Sequence, residues 1–483
     1  MSSGNQCFAT DSPGAEETTQ TERPQVQGVF KDTDLDHVAN SKRAMRKAIL
    51  ALAWPVVTEQ ILMTVTQMAD MIMVGRLGAE RVAAVGLSNQ PLNIAQGLFM
   101  GIGVGATALI ARFIGANDQN RADRTAAQAL AISAIIASIL VTIGMVSTPA
   151  LIRFMRAEPE VVPHAIAYMR VLMPGLFMLV INMICSAALR GAGDTRYPMR
   201  VNILLNLVNL AGNYILIYGH FGAPAMGVAG AALATTVART VAAVMLLRYV
   251  FSGKGVIHVG RLRDFRFDFN LVRRILSVGI AASAERVSLS LGLAFYVRIV
   301  AALGTLQYAA HAIAINAESI SYTPGFAFAV SATTMVGQAL GADRPDVAER
   351  AGWESLKMSA TLMGFMGLVL FTFPQVLIGL YVDDPEIIRL GSDVLKIMAM
   401  EQIPMAAAFV VMGALRGAGD TRAVLFLTAA SVWGVRLGLA WFFVNVLELG
   451  LKGAWYAMAL DWVARSSIAI ARFAGGRWKT MSV

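Results

Sequence analysis

From residue 48 to residue 472 the chain alternates long apolar windows with short polar breaks. Six windows fall near 48–73, 82–111, 125–147, 162–188, 198–219 and 226–249, and six more near 272–300, 307–338, 352–376, 387–414, 424–446 and 451–472. An α-helix needs about 20 apolar residues to cross a hydrocarbon core of about 30 Å. The pattern therefore predicts an all-α integral membrane protein of twelve spans. Gly and Pro recur inside the windows, which membrane helices tolerate better than soluble ones. Ahead of the first window, residues 1–43 are rich in Ser, Thr, Gln, Pro and acids and read as a disordered tail. That tail has no apolar stretch behind a basic segment, so the first span is expected to serve as the targeting signal.

The cations mark a direction. Lys42, Arg43, Arg46 and Lys47 precede the first window, and every second loop after it is basic: Arg112, Arg121 and Arg124, then Arg190, Arg196 and Arg200. A central connector adds Lys254, Arg261, Arg263, Arg266, Arg273 and Arg274. The loop at Asp383, Asp384 and Glu386 is acidic, with Arg153 and Arg156 as exceptions among the alternate loops. By the positive-inside rule both termini are expected in the cytoplasm.

The octapeptide LRGAGDTR begins at Leu189 and again at Leu415, an offset of 226 residues. Without a gap the same offset pairs Glu59 with Glu285, Ala106-Thr107 with Ala332-Thr333, and Gly115-Ala116 with Gly341-Ala342. A whole six-helix unit is therefore duplicated. Six is even, so both copies enter the membrane from the same side, as parallel repeats do in transporters that rock one half against the other. The organisation expected is a cytoplasmic tail (1–43), an N-lobe (44–250), a connector (251–270), a C-lobe (271–475) and a second cytoplasmic tail (476–483). The octapeptide joins the fourth and fifth spans of each lobe. Gly191 and Gly193, repeated as Gly417 and Gly419, permit backbone angles closed to other residues. Asp194, repeated as Asp420, or the threonine after it can cap the next helix. Arg190 and Arg196 can sit among headgroup phosphates, and Arg416 is the second copy of Arg190 in the motif. Two roles stay open for the motif: a helix corner without substrate contact, or a cytoplasmic gate latch.

Composition narrows the class further. Of 483 residues 56% are hydrophobic and 15% charged, against roughly 25% charged in soluble domains. The net charge of +9 is spread over loops and helix ends rather than along one aromatic-rich stripe, so nucleic acid is not the expected partner. Two cysteines, Cys7 and Cys185, support neither a disulfide framework nor a cysteine metal site. No GxxxxGK[ST] is present to bind ATP, and no HExxH or GxSxG is spaced for chemistry within a span, so no enzyme and no cofactor are expected.

Ionisable residues within a membrane are costly and are candidates for function by default. Glu59, Asp70, Glu285, Glu318 and Asp461 qualify. Glu59 and Asp70 are 11 residues apart, about three helical turns, so they share one face of the first span with Gln67 and the adaptable Met63 between them. The fifth span carries Asn202, Asn206, Asn209 and Asn213, a polar stripe in an apolar helix. Both spans run outward, so Asp70 can meet Asn209 and Asn213 near the outer end. The repeat offset places Tyr296, Val435 and Leu439 opposite these three. A polar cluster confined to one lobe argues against glue that the fold itself requires. In the C-lobe, Glu285 and Glu318 lie at comparable depths and are candidates to bind substrate with Glu59, Gln67 and Met63. Asp461 and Arg465 are spaced for a structural ion pair, with Arg436 nearby.

The doubled LRGAGDTR, the opening AWPVVTEQ…ADMIMVGRLG, and TPGFAFAVSATTMVGQALGADRP together resemble the multidrug and toxic compound extrusion family over residues 45–475. The resemblance implies a V-shaped pair of six-helix bundles, expected as a monomer in the bilayer, that exports organic cations or amphiphilic drugs in exchange for H⁺ or Na⁺. It also implies an N-lobe coupling site at Asp70, Asn209, Asn213 and, more loosely, Thr235, with Na⁺ as the one conceivable metal. Many members have aspartate where this chain has Asn213, which leaves Asp70 as the sole acid expected at that depth. A flippase for lipid-linked intermediates is the neighbouring alternative; it would favour a cationic groove, and few mid-span cations are evident in the N-lobe.

Overall fold

A computed structural model describes Val38 and residues 40–75, 77, 79–155, 159–260 and 262–481, without the side chains of 79, 80, 82, 83, 262, 263 and 320. Most of the tail expected to be disordered, together with Arg156 and Arg261, lies outside the described residues. Twelve long helices follow one another among those described. The first six are α1 (Lys42–Gly75), α2 (Ala79–Gly115), α3 (Gln119–Phe154), α4 (Val161–Gly191), α5 (Arg196–Tyr218) and α6 (Gly227–Phe251). The second six are α7 (Phe269–Ala301), α8 (Thr305–Gly341), α9 (Pro345–Thr372), α10 (Pro385–Gly417), α11 (Thr421–Asn445) and α12 (Gly450–Ala474). Each predicted window falls on one of them, and a short helix at Pro374–Gly379 follows α9. Ten of the twelve are long and apolar enough to cross a membrane; α8 and α12 fall short. Lys452, Asp461, Arg465 and Arg472 account for α12, and two of these are buried within the bundle.

The duplication is visible in the packing. In the first bundle α4 packs on α2, α3 and α6, and α5 packs on α1 and α6; in the second, α10 packs on α8, α9 and α12, and α11 on α7 and α12. Lipid offers no hydrophobic drive for helices to associate, so close approach depends on small residues. Thr107 Oγ1 donates to the Ala187 carbonyl at 2.9 Å, and its copy Thr333 donates to the Gly413 carbonyl at 2.8 Å. A Cβ at Gly191 or at its copy Gly417 would collide with the carbonyl oxygen of Thr107 or Thr333. Gly193 and Gly419, at φ 93° and 90°, make the corner after each central helix in a conformation closed to other residues.

Two departures break the symmetry. Ser431–Arg436 of α11 form a π-turn, absent from α5, which adds one residue. The Leu216 carbonyl accepts from Met226 N, and the Phe443 carbonyl accepts from Leu449 N. The offset is thus 227 at the end of the fifth span and 223 at the start of the sixth. The counterparts of Asn209 and Asn213 are therefore Arg436 and Ala440, not Val435 and Leu439. Those of Thr235 and Arg239 are Met458 and Trp462.

The bundles meet where α2 packs on α7 and α8, and α1 on α8. At the end carrying both octapeptides, Gly115 lies against Gln338, Gly341 against Arg112, and Gly337 against Ala111. Ser331 Oγ donates to the Ile49 carbonyl at 3.1 Å, and Arg46 pairs with Glu354 at 2.8 Å. Nearest the mid-depth of the helices, Ser283 Oγ donates to the Leu98 carbonyl at 3.0 Å. Beyond that level no hydrogen bond joins the lobes among the described residues, so the cleft opens at the end opposite the octapeptides. The connector lies on α3, where Gln128 Nε2 donates to the carbonyls of Asp264 and Arg266 at 3.0 and 2.9 Å. The second tail is also packed: Trp478 is buried and stacks on Phe473 at 4.6 Å.

Candidate functional site

The octapeptide arginines point inward. Arg190 Nη1 pairs with Glu59 at 3.1 Å, and Arg416 Nη2 pairs with Glu285 at 2.7 Å. Both partners stand 131 residues apart, so the ion pair was duplicated with the helices that carry it. Thr428 Oγ1 also donates to Glu285, at 3.2 Å. These contacts correct the placement of Arg190 among headgroups, because its guanidinium, like that of Arg416, already has a buried carboxylate. Glu59 and Glu285 are themselves buried, each held by an arginine of its own lobe. The octapeptide's aspartates tie the corner to the last helix of each lobe: Asp194 accepts from Tyr249 OH at 3.0 Å and Asp420 from Arg472 Nε at 2.6 Å. Asp194 also caps α5 by accepting from Tyr197 N at 3.1 Å. The first copy touches the other lobe as well, since the Arg190 and Gly191 carbonyls accept from Thr334 Oγ1 and Gln338 Nε2 at 2.9 and 3.0 Å.

Farther along the same face of α1 the environment changes. Met63 and Gln67 are exposed, and Asp70 is half-buried. Helices α1 and α5 run parallel in contact. Their polar residues match in register, Glu59 and Asp70 being spaced as Asn202 and Asn213 are. Asn213 Nδ2 donates to Asp70 Oδ1 at 2.5 Å and lies 3.3 Å from Asn209 Oδ1. Asn209 Nδ2 in turn donates to Thr235 Oγ1 at 3.0 Å. The structure thus brings together Asp70, Asn209, Asn213 and Thr235 from three helices, with both asparagines buried.

Two residues of this pocket escaped the sequence. Arg239 lies one turn beyond Thr235 on α6, and its guanidinium interacts electrostatically with both Asp70 and Tyr168 of α4. It makes no direct ion pair among the described residues, and its Nη1 is buried without a hydrogen-bond partner there. The four-residue spacing from Thr235 was the signal that would have found it.

In the C-lobe, Glu285 and Glu318 lie at comparable depths but face different partners. Glu318 Oε1 accepts from Gln402 Nε2 at 3.2 Å, and the buried Glu401 carboxyl lies beside it. Neither Glu401 nor Gln402 was singled out from sequence. The position equivalent to Asp70 is Tyr296, buried, with its hydroxyl on the Ala454 carbonyl at 2.9 Å. Asp461 is fixed by Arg436 at 2.7 Å, by Arg465 at 2.6 Å and by Ser431 Oγ. The π-turn of α11 carries both Ser431 and Arg436. No group of three His, Cys, Asp or Glu suited to a metal occurs among the described residues.

Two duplicated six-helix bundles, a cleft between them and a one-sided polar site define a membrane transporter of the parallel-repeat type. The chain matches the MatE family over residues 55–215 and 281–442, one match in each lobe. It is 33% identical over 449 residues to the probable multidrug resistance protein NorM of Thermotoga maritima, covering 91% of this chain and 94% of that protein. It superposes with a TM-score of 0.84 on a multidrug resistance MATE transporter of the MOP superfamily in an outward-facing conformation, at 26% identity over 90% of this chain and 97% of that one. A MOP superfamily transporter from Pyrococcus furiosus, described as having a binding pocket of reverse polarity that suggests a different function, superposes at 0.83 with 27% identity, over 90% and 95% of the two chains. This chain is a member of the MatE family, the multidrug and toxic compound extrusion transporters.

Proposed function

We propose that the protein is a secondary antiporter of a bacterial inner membrane, with the octapeptide face cytoplasmic, that exports amphiphilic and cationic drugs in exchange for H⁺ or Na⁺. The observation that carries it is the hydrogen-bonded chain from Asp70 through Asn213 and Asn209 to Thr235, built in one lobe only. A carboxylate held by amides, next to a cleft, can take up and release a small cation. Its helix, α1, has one half in the core of the opposite lobe, where Met45, Ile49, Leu52 and Val56 pack with α8 and α10. A charge change at Asp70 therefore acts on a helix that both lobes hold. The carboxyls of Glu318 and Glu401, side by side, offer a second place at which a proton can reside.

The test is ethidium efflux from everted vesicles under a pH gradient alone and then a Na⁺ gradient alone, for the natural protein and Asp70→Asn. Loss of gradient-driven efflux in a folded, inserted variant supports coupling at Asp70; efflux at the natural rate removes it. One observation favours the flippase alternative. Arg286 is exposed where α7 meets α2 and faces Tyr322 of α8, while the acids around it are buried. Transport of a lipid-linked pyrophosphate that Arg286→Gln abolishes, with ethidium efflux unchanged, would select that alternative.

A further inference from the structure

The corner after the central helix is closed in the N-lobe and open in the C-lobe. Beside Asp194, the rings of Tyr197 on α5 and Tyr249 on α6 stack at 3.6 Å. Tyr197 OH donates to the Met245 carbonyl at 3.3 Å and Tyr249 OH donates to Asp194, so the two helices are joined across their gap. The C-lobe copies of Tyr197, Met245 and Tyr249 are Ala423, Ile468 and Arg472. Without the rings, the first ten residues of α11 lean on α7 and scarcely touch α12. A groove of about 1090 Å³ is left between the three helices.

The charge of this groove is one-sided. Arg274, Arg422 and Arg472 line it against a single carboxylate, Asp420. Both Asp420 oxygens are taken by Arg472, at 2.6 and 3.1 Å, so no side chain caps α11, whereas Asp194 accepts from Tyr197 N at the start of α5. Arg274 is half-buried over the Phe113 ring at 5.5 Å, and Arg422 is exposed. Neither guanidinium has a hydrogen bond or an ion pair among the described residues. Ala48 stands at the N-lobe position of Arg274, so that cation too belongs to one lobe. Farther into the membrane the groove turns apolar. Phe426, Ala430 and Ile468 line it, all exposed, and Ala430 stands about 12 Å beyond Arg422 along α11. Ser277, in the groove wall, lies on α7 away from Gly279 and Ser283, which meet the N-lobe, so the groove faces the bilayer and not the cleft.

Cationic at headgroup level and apolar beyond it, the groove has the two-part chemistry of a phospholipid. Basic pockets between membrane helices take anionic headgroups, and the free amides of a helix start favour phosphate. We propose that this groove binds an anionic phospholipid from the leaflet on the octapeptide side, with its phosphate between Arg274 and Arg422 and an acyl chain along Phe426, Ala430 and Ile468. The lipid does in the C-lobe what the tyrosine stack does in the N-lobe: it ties the start of α11 to its neighbours. Such binding needs only a chain that spans the bilayer and stands whether or not Asp70 couples ions.

The test titrates dioleoyl phosphatidylglycerol, dioleoyl phosphatidylcholine and inorganic phosphate separately into the purified full chain in neutral detergent and reads the melting temperature. Phosphatidylglycerol is expected to stabilise the natural protein, and the zwitterionic lipid and the phosphate ion to do so far less. Arg422→Gln should weaken the apparent affinity for phosphatidylglycerol about fivefold, equivalent to about 1 kcal/mol for one cation at an anionic lipid surface. Ala423→Tyr, which puts back a ring that the N-lobe carries, should remove the stabilisation. Arg196→Gln deletes a likewise exposed arginine at the copied position and should leave it unchanged. Unchanged affinity in Arg422→Gln would overturn the proposal, as would equal loss in Arg196→Gln and Arg422→Gln, because the lipid would then answer to net charge alone. Stabilisation by phosphate ion equal to that by the lipid would overturn it too, making the ligand a soluble anion. Should Ala423→Tyr not fold, the contrast between Arg422→Gln and Arg196→Gln decides.

Discussion

The two lobes hold buried charge in two ways, at positions that are not copies of one another. In the C-lobe, Asp461 lies between two guanidinium groups and a hydroxyl, and Asp461, Arg436 and Arg465 are all at most 3% exposed. In the N-lobe, Asp70 is partly exposed and held by one amide, with its nearest guanidinium at a distance. A buried carboxylate clasped by two cations has no reason to bind a third, so the C-lobe cluster is a permanent joint between α11 and α12. A carboxylate held by a neutral donor can change its charge without breaking an ion pair in contact. Duplication supplied two like bundles, and the proposed coupling site lies in what differs between them.

The largest effect expected from breaking this comparison is on the C-lobe side. Asp461→Asn leaves two buried guanidinium groups uncompensated and should cost about 3–5 kcal/mol, read as a loss of folded protein in thermal unfolding. If that variant unfolds like the natural protein, the cluster is not a joint. Next come the duplicated pairs. Glu59→Gln and Glu285→Gln should each cost about 1–3 kcal/mol, less than Asp461→Asn because Arg190 and Arg416 keep 24% and 22% side-chain exposure. Their efflux defects should be equal for cationic and neutral substrates; a selective loss of cation export by Glu285→Gln would return that residue to the substrate path.

Smaller again are the hydrogen bonds that the first octapeptide accepts across the seal. Thr334→Val and Gln338→Leu should each weaken it by about 0.5–1.5 kcal/mol. The population open at the octapeptide end should rise, as measured by inter-lobe spin-label distances; unchanged distances would leave the motif a plain corner. Between the duplicated pairs and these bonds fall Gly193→Ala and Gly419→Ala, which should each cost about 1–2 kcal/mol through the left-handed backbone at those corners, and by similar amounts because the corners are copies.

Much of this architecture was legible before any coordinates. Apolar windows report helices because lipid leaves the backbone no other way to satisfy its hydrogen bonds. The Asp70 cluster was legible because its residues recur at helical spacing on two helices of the same direction. Glu59 with Arg190 was less visible, since the pairing crosses 131 residues, yet the repeat held its signal: both members recur at one offset. Arg239 was hidden because its meaning depends on which face of α6 meets α1, and sequence does not fix helix rotation. Glu401 was hidden for the same reason on α10. The π-turn has no sequence mark of its own, so the C-lobe counterparts of Asn209 and Asn213 were misassigned by one residue.

The central claim is that charge at Asp70 couples an ion gradient to drug movement without forming the drug's pathway. The most direct measurement compares two modes of transport by Asp70→Asn in proteoliposomes: uphill ethidium accumulation driven by an ion gradient, and ethidium counterflow with no gradient. The account predicts that uphill accumulation falls to background while counterflow persists. Uphill accumulation at the natural rate would contradict it.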